Sequence, residues 1–371
     1  LLVRVAWHSR TPNRTDSVQL FVRIPAPRGV QMAVVANRDR VQNGLVQKIA
    51  PSPRWPPSRI EACAHGKNGY PKARIVVVSK PHQGENMLRI PDSRIEQIIA
   101  EDVPYIDLTS EVLGIGAERG EMEFFTREAC VLAGVPVARR IAEKCGCEIV
   151  SARADGDELA AGDAFFAVRG TAADLHAAWK VCLNTFDHLS AVATKTRAMV
   201  NAAHGVNPRC EVLTTRKSMP GAKDLLTSAV MAGGAFPHRL GLSETVLVFG
   251  HHMEFMGGFD AFVEQLPSIK AKCIEKKLFV EANAEQARTL ARVSAGGEGV
   301  DGIQLDKVPV DELAELVAEL HGIDPRLALI AAGGINPSNA AAYAATGVDG
   351  LATTAPFSAK PCDMSARMRA L

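Results

Sequence analysis

Arg216, Lys217, His238 and Arg239 fall on two neighbouring loops of a repeating strand–helix pattern. Cations grouped in this way are suited to holding a polyanion. Arg216 and Lys217 stand ahead of a helical stretch, where positive charge opposes the helix dipole, and an anionic ligand would resolve that conflict. His238 and Arg239 have a second reading as charges at a helix C-terminus, which the dipole favours. Glu281 and Asp306 end two apolar runs, and burial there is costly unless a carboxylate is paired or holds a metal. Gly333 and Gly334 let a backbone approach a ligand closely. They precede an Asn336-Pro337 helix start, an arrangement suited to a phosphate. Thr353 and Thr354 end the last apolar run and complete the set. The adjacent His251 and His252 point apart and have no third ligand at helical spacing, so no metal site is expected there.

These residues need a frame. Apolar strand candidates lie at 211–215, 245–249, 278–282, 302–305, 328–331 and 350–354, with helices near 222–232, 259–267, 284–293, 310–321 and 337–345. Six βα units of 20 to 35 residues predict a parallel sheet. Polar residues recur where the strands end, which favours a closed or nearly closed α/β barrel with its chemistry at that face. Ahead of it, 121–126 alternates, 137–145 reads as a helix, and 162–170 reads as a strand bounded by glycines. A long helix over 172–203 follows, closed by Gly205 and Pro208. A first helix carries Ile95, Ile98 and Ile99 on one face, with Asp92 or Ser93 as its cap.

Composition is that of an ordinary globular protein, 47% hydrophobic and 22% charged. No apolar run of about 18 residues is present, so no membrane span is expected. The eight cysteines are scattered; only Cys145 and Cys147 are close, at a spacing that fits neither zinc nor a redox pair. Reduced thiols in a cytoplasm are the expectation. The net charge of +1 hides an asymmetry: residues 1–86 carry +10 and the remainder −9. That first segment holds nine of the 21 prolines and no sustained period. Nucleic-acid binding is one reading of it. The reading favoured here is an extension that is disordered or no part of the natural protein, with Met87 as the natural start. No nucleic-acid partner is expected.

The motifs at 215–221 (TRKSMPG), 233–244 (GGAFPHRLGLSE), 305–307 (LDK) and 332–335 (AGGI) resemble the nicotinate-nucleotide pyrophosphorylase, or quinolinate phosphoribosyltransferase, superfamily. The runs at 243–249 (SETVLVF) and 355–363 (APFSAKPCD) resemble its ModD branch, named for its association with molybdate-transport genes. The resemblance covers about residues 88–368.

It implies an α/β fold: an N-terminal α/β sandwich over 87–195, which also receives 356–371, then an incomplete, about seven-stranded α/β barrel over 196–355. The six strands read above fall one short; the missing strand is expected in 194–212 or at the domain junction. A homodimer with shared active sites is implied, with Lys180 lent to the neighbouring subunit. The implied reaction transfers phosphoribosyl from phosphoribosyl pyrophosphate to a heteroaromatic nitrogen. Lys217, Glu281 and Asp306 are the implied catalytic residues, and Glu281 and Asp306 the ligands of Mg²⁺. Lys180, Arg216, His238 and Arg239 bind substrate, and Gly333, Gly334, Thr353 and Thr354 the phosphate.

Three positions depart from the family pattern. Phe249 begins the segment where the family has Lys-Asp-Asn-His, and Lys180 replaces an arginine, losing its bidentate fork. Both changes weaken dicarboxylate recognition. Ile106 replaces a glycine, and a β-branched residue is strained there if the position needs positive φ. The main reading is therefore a transferase with an altered acceptor. The alternatives are an authentic quinolinate phosphoribosyltransferase of NAD biosynthesis and a non-catalytic barrel that binds a phosphorylated metabolite.

Overall fold

The computed structural model describes residues 88–371 and, of the earlier chain, the backbone of four strands. In that first unit β1 (Ser17–Arg23) pairs antiparallel with β2 (Gln31–Asn37), and β3 (Arg59–Cys63) with β4 (Arg74–Val78). The other residues before Leu88 lie outside the described set, and with them most of the basic extension and Met87.

The second unit opens with a helix, Asp92–Asp102, whose cap position is Pro91 and not Asp92 or Ser93. Asp92 pairs with Arg140 instead, and Ile95 is buried. Strand β5 (Arg119–Thr126) alternates buried and more exposed positions because one face packs on a core and the other meets water. With β7 (Glu148–Ala152), β9 (Ala164–Thr171) and β17 (Met364–Ala370) it forms an antiparallel sheet in the order β17-β5-β9-β7. A small ladder, β6 (Cys130–Val131) with β8 (Glu158–Leu159), closes the connection. Phe124, Phe165, Phe166 and Phe186 fill this core, with ring centroids 4.9–5.9 Å apart in tilted and edge-on contacts.

The long helix runs Ala172–His204 and starts on a Thr171–Asp174 capping box. It serves two cores: Phe186 packs into the first, and Leu189, Val192 and Met199 into the second. The helix is therefore the spine that joins the sandwich to the barrel.

Seven parallel strands make the barrel sheet: β10 (Glu211–Thr214), β11 (Phe236–Pro237), β12 (Val246–Val248), β13 (Leu278–Ala282), β14 (Gly302–Asp306), β15 (Ala328–Ala332) and β16 (Gly350–Thr353). Their order is β11-β10-β16-β15-β14-β13-β12, so β11 and β12 are edges and the barrel stays open between them. All six predicted strands are present. The seventh is β11, not a segment in 194–212 or at the domain junction; two residues are too few for a period to show. Two predicted helices change length. The one from Phe259 continues through Pro267 to Lys272, and the one expected over 337–345 is helical only at Ala340–Ala345.

Strands buried on both faces read as unbroken apolar runs. Leu278, Val280, Ile303, Leu305, Leu329 and Ala331 face the outer helices. Leu247, Phe279, Ile330, Ala332 and Ala352 face inward, with Leu213 and Phe249 packed on them. Among the described residues no helix is long and apolar enough to cross a membrane, and the seven described cysteines form no disulfide.

Gly302 is where Phe279 folds into the barrel interior: a Cβ there would collide with the Phe279 ring and come within 2.7 Å of the Ala328 carbonyl oxygen. Gly302→Ala is expected to destabilise the protein by about 1–3 kcal/mol, the usual result of overpacking. Urea denaturation of the two proteins checks this, with the slope unchanged and the midpoint lowered.

Candidate active site

The inner face turns polar at the C-terminal ends of β13 and β14. Glu281 lies opposite Gln304 across the ladder, and Asp306 opposite Ala332. Gln304 is buried, and its Nε2 donates to Glu281 Oε2 at 2.6 Å. Burial, then the charge of Asp306, push the Glu281 carboxyl above its ordinary range; Gln304, Lys217 and Lys307 pull the other way. Lys307 Nζ lies 3.7 Å from Asp306 Oδ2. Two carboxylates and two lysines therefore share one mouth of the barrel.

The first loop carries the other cations. After β10, Thr215 N donates to the Thr353 carbonyl at 2.9 Å, which ties the loop to β16. Lys217 N donates to Thr215 Oγ1 at 3.3 Å. Further along, Arg94 of the first helix donates from Nη2 to the Gly221 carbonyl at 2.6 Å and lies 3.7 Å from Asp224. The N-terminal domain thus holds the far end of the loop that presents Arg216 and Lys217.

His238 and Arg239 follow β11 and are not at a helix end. His238 N donates to the Thr214 carbonyl at 2.8 Å, placing the second loop against the first. Burial and the neighbouring Arg239 charge hold the imidazole below its usual range, and its Nε2 is buried without a protein partner. Burial, then Arg216, lower the Arg239 pKa, and Glu244 opposes them. The Arg239 guanidinium carbon sits 5.8 Å from the centre of the Phe249 ring.

Gly333 and Gly334 both have positive φ, at 99° and 72°. A Cβ on Gly333 would lie 2.5 Å from Lys307 Cγ, so glycine is what lets the end of β14 cross that of β15. The space beside Gly334 is open. The pair does not abut a helix N-terminus; Asn336 and Asn339 side chains donate to the Gly334 carbonyl in the turn that precedes Ala340–Ala345. The Thr353 hydroxyl is already engaged, donating to Ile335 O at 2.7 Å and accepting from Ala355 N at 3.0 Å. Thr354 is half-buried at the start of the following 3-10 turn.

Lys180 is not brought to this mouth by its own chain: it is exposed on the long helix, 4.6 Å from the centre of the Trp179 ring. Ile106 is exposed, and Lys307 is the one non-glycine residue at positive φ among the described residues, so the strain expected at Ile106 is absent. Sequence reasoning missed Gln304 and Arg94. Gln304 left a faint signal, a polar residue inside an apolar strand; Arg94 left none, because its partner is 127 positions away.

An open parallel barrel with cations, carboxylates and a glycine turn at its C-terminal mouth has the layout in which α/β-barrel enzymes place their chemistry. Residues 107–190 match the N-terminal domain, and residues 192–367 the C-terminal domain, of quinolinate phosphoribosyl transferase. The chain belongs to that family. It is 42% identical over 255 residues to a Rhodobacter capsulatus protein with the working name pyrophosphorylase ModD, covering 69% of this chain and 96% of that protein. It is 32% identical to the Mycobacterium leprae nicotinate-nucleotide pyrophosphorylase [carboxylating], covering 70% of this chain and 90% of that protein. The crystal structure of NadC from Streptococcus pyogenes superposes with a TM-score of 0.67 at 25% identity, covering 76% of this chain and 96% of that one.

The environment of Glu281 predicts opposite titration shifts for three variants. Gln304→Leu and Lys217→Met remove groups that favour the carboxylate, so the Glu281 midpoint is expected to rise further; Asp306→Asn is expected to lower it. Carboxyl ¹³C shifts followed against pH read all three.

Proposed function

We propose that this protein transfers a phosphoribosyl group from phosphoribosyl pyrophosphate to a heteroaromatic nitrogen and releases pyrophosphate. The observation that carries the reading is the joining of Glu281 and Asp306 with Arg216, Lys217 and Arg239 at one barrel mouth. A site that only bound phosphate would have no use for two carboxylates there.

In the reaction the lone pair of the acceptor nitrogen forms a bond to C1′ of the ribose. The C1′–oxygen bond to pyrophosphate breaks, and its electron pair leaves with that group. Positive charge develops at C1′, which the carboxylates of Glu281 and Asp306 favour. Arg216, Lys217 and Arg239 balance the pyrophosphate and acceptor charges. Gly333, Gly334 and Thr354 are assigned to the 5′-phosphate, with Thr353 supporting the turn through its hydroxyl.

The carboxylate pair fits Mg²⁺: Asp306 opposes ionisation of Glu281, and a divalent cation relieves that repulsion. Among the described residues no group of three His, Cys, Asp or Glu surrounds a common point; Glu281 and Asp306 would be the protein's ligands, and Mg²⁺ ordinarily keeps water or substrate oxygens as the rest. When bound, the ion supplies further charge stabilisation to the leaving group.

The reading includes a homodimer in the cytoplasm, with Lys180 of each chain completing the other's site. Tyr105, Ile106, Leu108, Val112 and Leu113 support it: they are exposed apolar side chains grouped on the N-terminal domain, uncovered by the other described residues. A connection with molybdate transport rests on the ModD resemblance.

Full-length protein with phosphoribosyl pyrophosphate, Mg²⁺ and a panel of pyridine and azole acceptors is expected to release pyrophosphate. Glu281→Gln and Asp306→Asn are each expected to lower kcat/KM by about a hundredfold or more. Binding of phosphoribosyl pyrophosphate with no release on any acceptor would favour the non-catalytic barrel.

A further inference from the structure

The acceptor side of the mouth is built from two unlike surfaces. One is apolar: Phe249 is half-buried against Leu247, Phe279, Ile330, Ala332 and Ala352. The other is cationic. Of the nearby cations, Lys217 and Lys307 already act on Glu281, and Lys307 also lies beside Asp306. That leaves Arg216 and Arg239, which repel one another, with Arg239 held against the Phe249 ring. A carboxylate set between the two guanidinium groups removes that repulsion.

His238 supplies a second, independent pointer to a ligand. Its ring stands edge-on to Phe279 at 6.4 Å, and its Nε2 is buried with no protein partner. A buried polar atom of this kind is costly unless a ligand or water completes it. Burial and the Arg239 charge both disfavour the protonated imidazole, so the ring is suited to offering a hydrogen bond at Nε2 more than a charge.

Resting on the transfer reading above, we propose that the acceptor is a planar heteroaromatic carrying a single carboxylate. The carboxylate lies between Arg216 and Arg239, the ring packs against Phe249, and one ring atom or carboxylate oxygen bonds to His238. Phe249 determines specificity. A second carboxylate on the ring would face Phe249 and Phe279 and lose its water, with no cation of the same chain left beside it.

Equilibrium binding separates this inference from the reading beneath it. Calorimetry on the full-length protein would use pyridine-3-carboxylate, pyridine-2,3-dicarboxylate and pyridine, without phosphoribosyl pyrophosphate. The monocarboxylate is expected to bind about tenfold or more tightly than either of the others. Phe249→Leu, which keeps an apolar wall, should retain that order. Phe249→Lys, which places a cation in the wall, should move the preference towards the dicarboxylate by about tenfold or more. Equal or tighter binding of the dicarboxylate by the unaltered protein overturns the proposal. So does a Phe249→Lys protein with an unchanged ratio, or no binding of the monocarboxylate. Pyrophosphate release is measured separately: its absence beside the expected binding order strikes the transfer reading alone, and its presence with the wrong order strikes this inference alone.

Discussion

Asp306 opposes the ionisation of Glu281 at the mouth of a barrel whose deeper interior is apolar, and much of the site is arranged around that opposition. Burying carboxylates is unfavourable without partners. Gln304 answers from the adjacent strand with a hydrogen bond, Lys217 from the first loop and Lys307 from the end of β14. The strand register makes this possible, because inward-facing positions two residues apart place Phe279 below Glu281 and Gln304 below Asp306. Charge at the top of the barrel rests directly on hydrophobic packing beneath it.

The N-terminal domain takes part in that arrangement. Arg94 reaches across to the carbonyl of Gly221, and the Ala172–His204 helix contributes to the cores of both domains. A loop rich in cations repels itself and has little apolar surface with which to dock. Anchoring its far end from another domain is how Arg216 and Lys217 keep a fixed place.

The barrel was legible in the sequence because parallel strands covered on both faces leave apolar runs, and all six such runs became strands. Arg216, Lys217, Glu281 and Asp306 stood out as charge at the ends of apolar strands, whereas His238 and Arg239 follow the two-residue β11 and stood out only as part of a cation cluster. What escaped had no local pattern. Strand β11 is two residues long and owes its pairing to β10. Arg94 is one arginine among many until the fold brings it to Gly221. The shortened Ala340–Ala345 helix follows from asparagines that bond the Gly334 carbonyl in a turn, a competition that propensity alone does not rank. At Ile106 a pattern of residue types suggested strain, yet the backbone there stays out of the left-handed region.

The opening between β11 and β12 has a consequence for how this protein can change over generations. Arg239 follows one edge strand and Phe249 the other, and each edge pairs with a single neighbour. Glu281, Asp306 and Gly333 sit on or beside interior strands, where Gly333 and Lys307 already lock two strand ends together. Substitutions at the open edges disturb few ladders and little packing, whereas those in the middle strain several at once. Selection can therefore vary the two edges at less structural cost than the centre of the sheet.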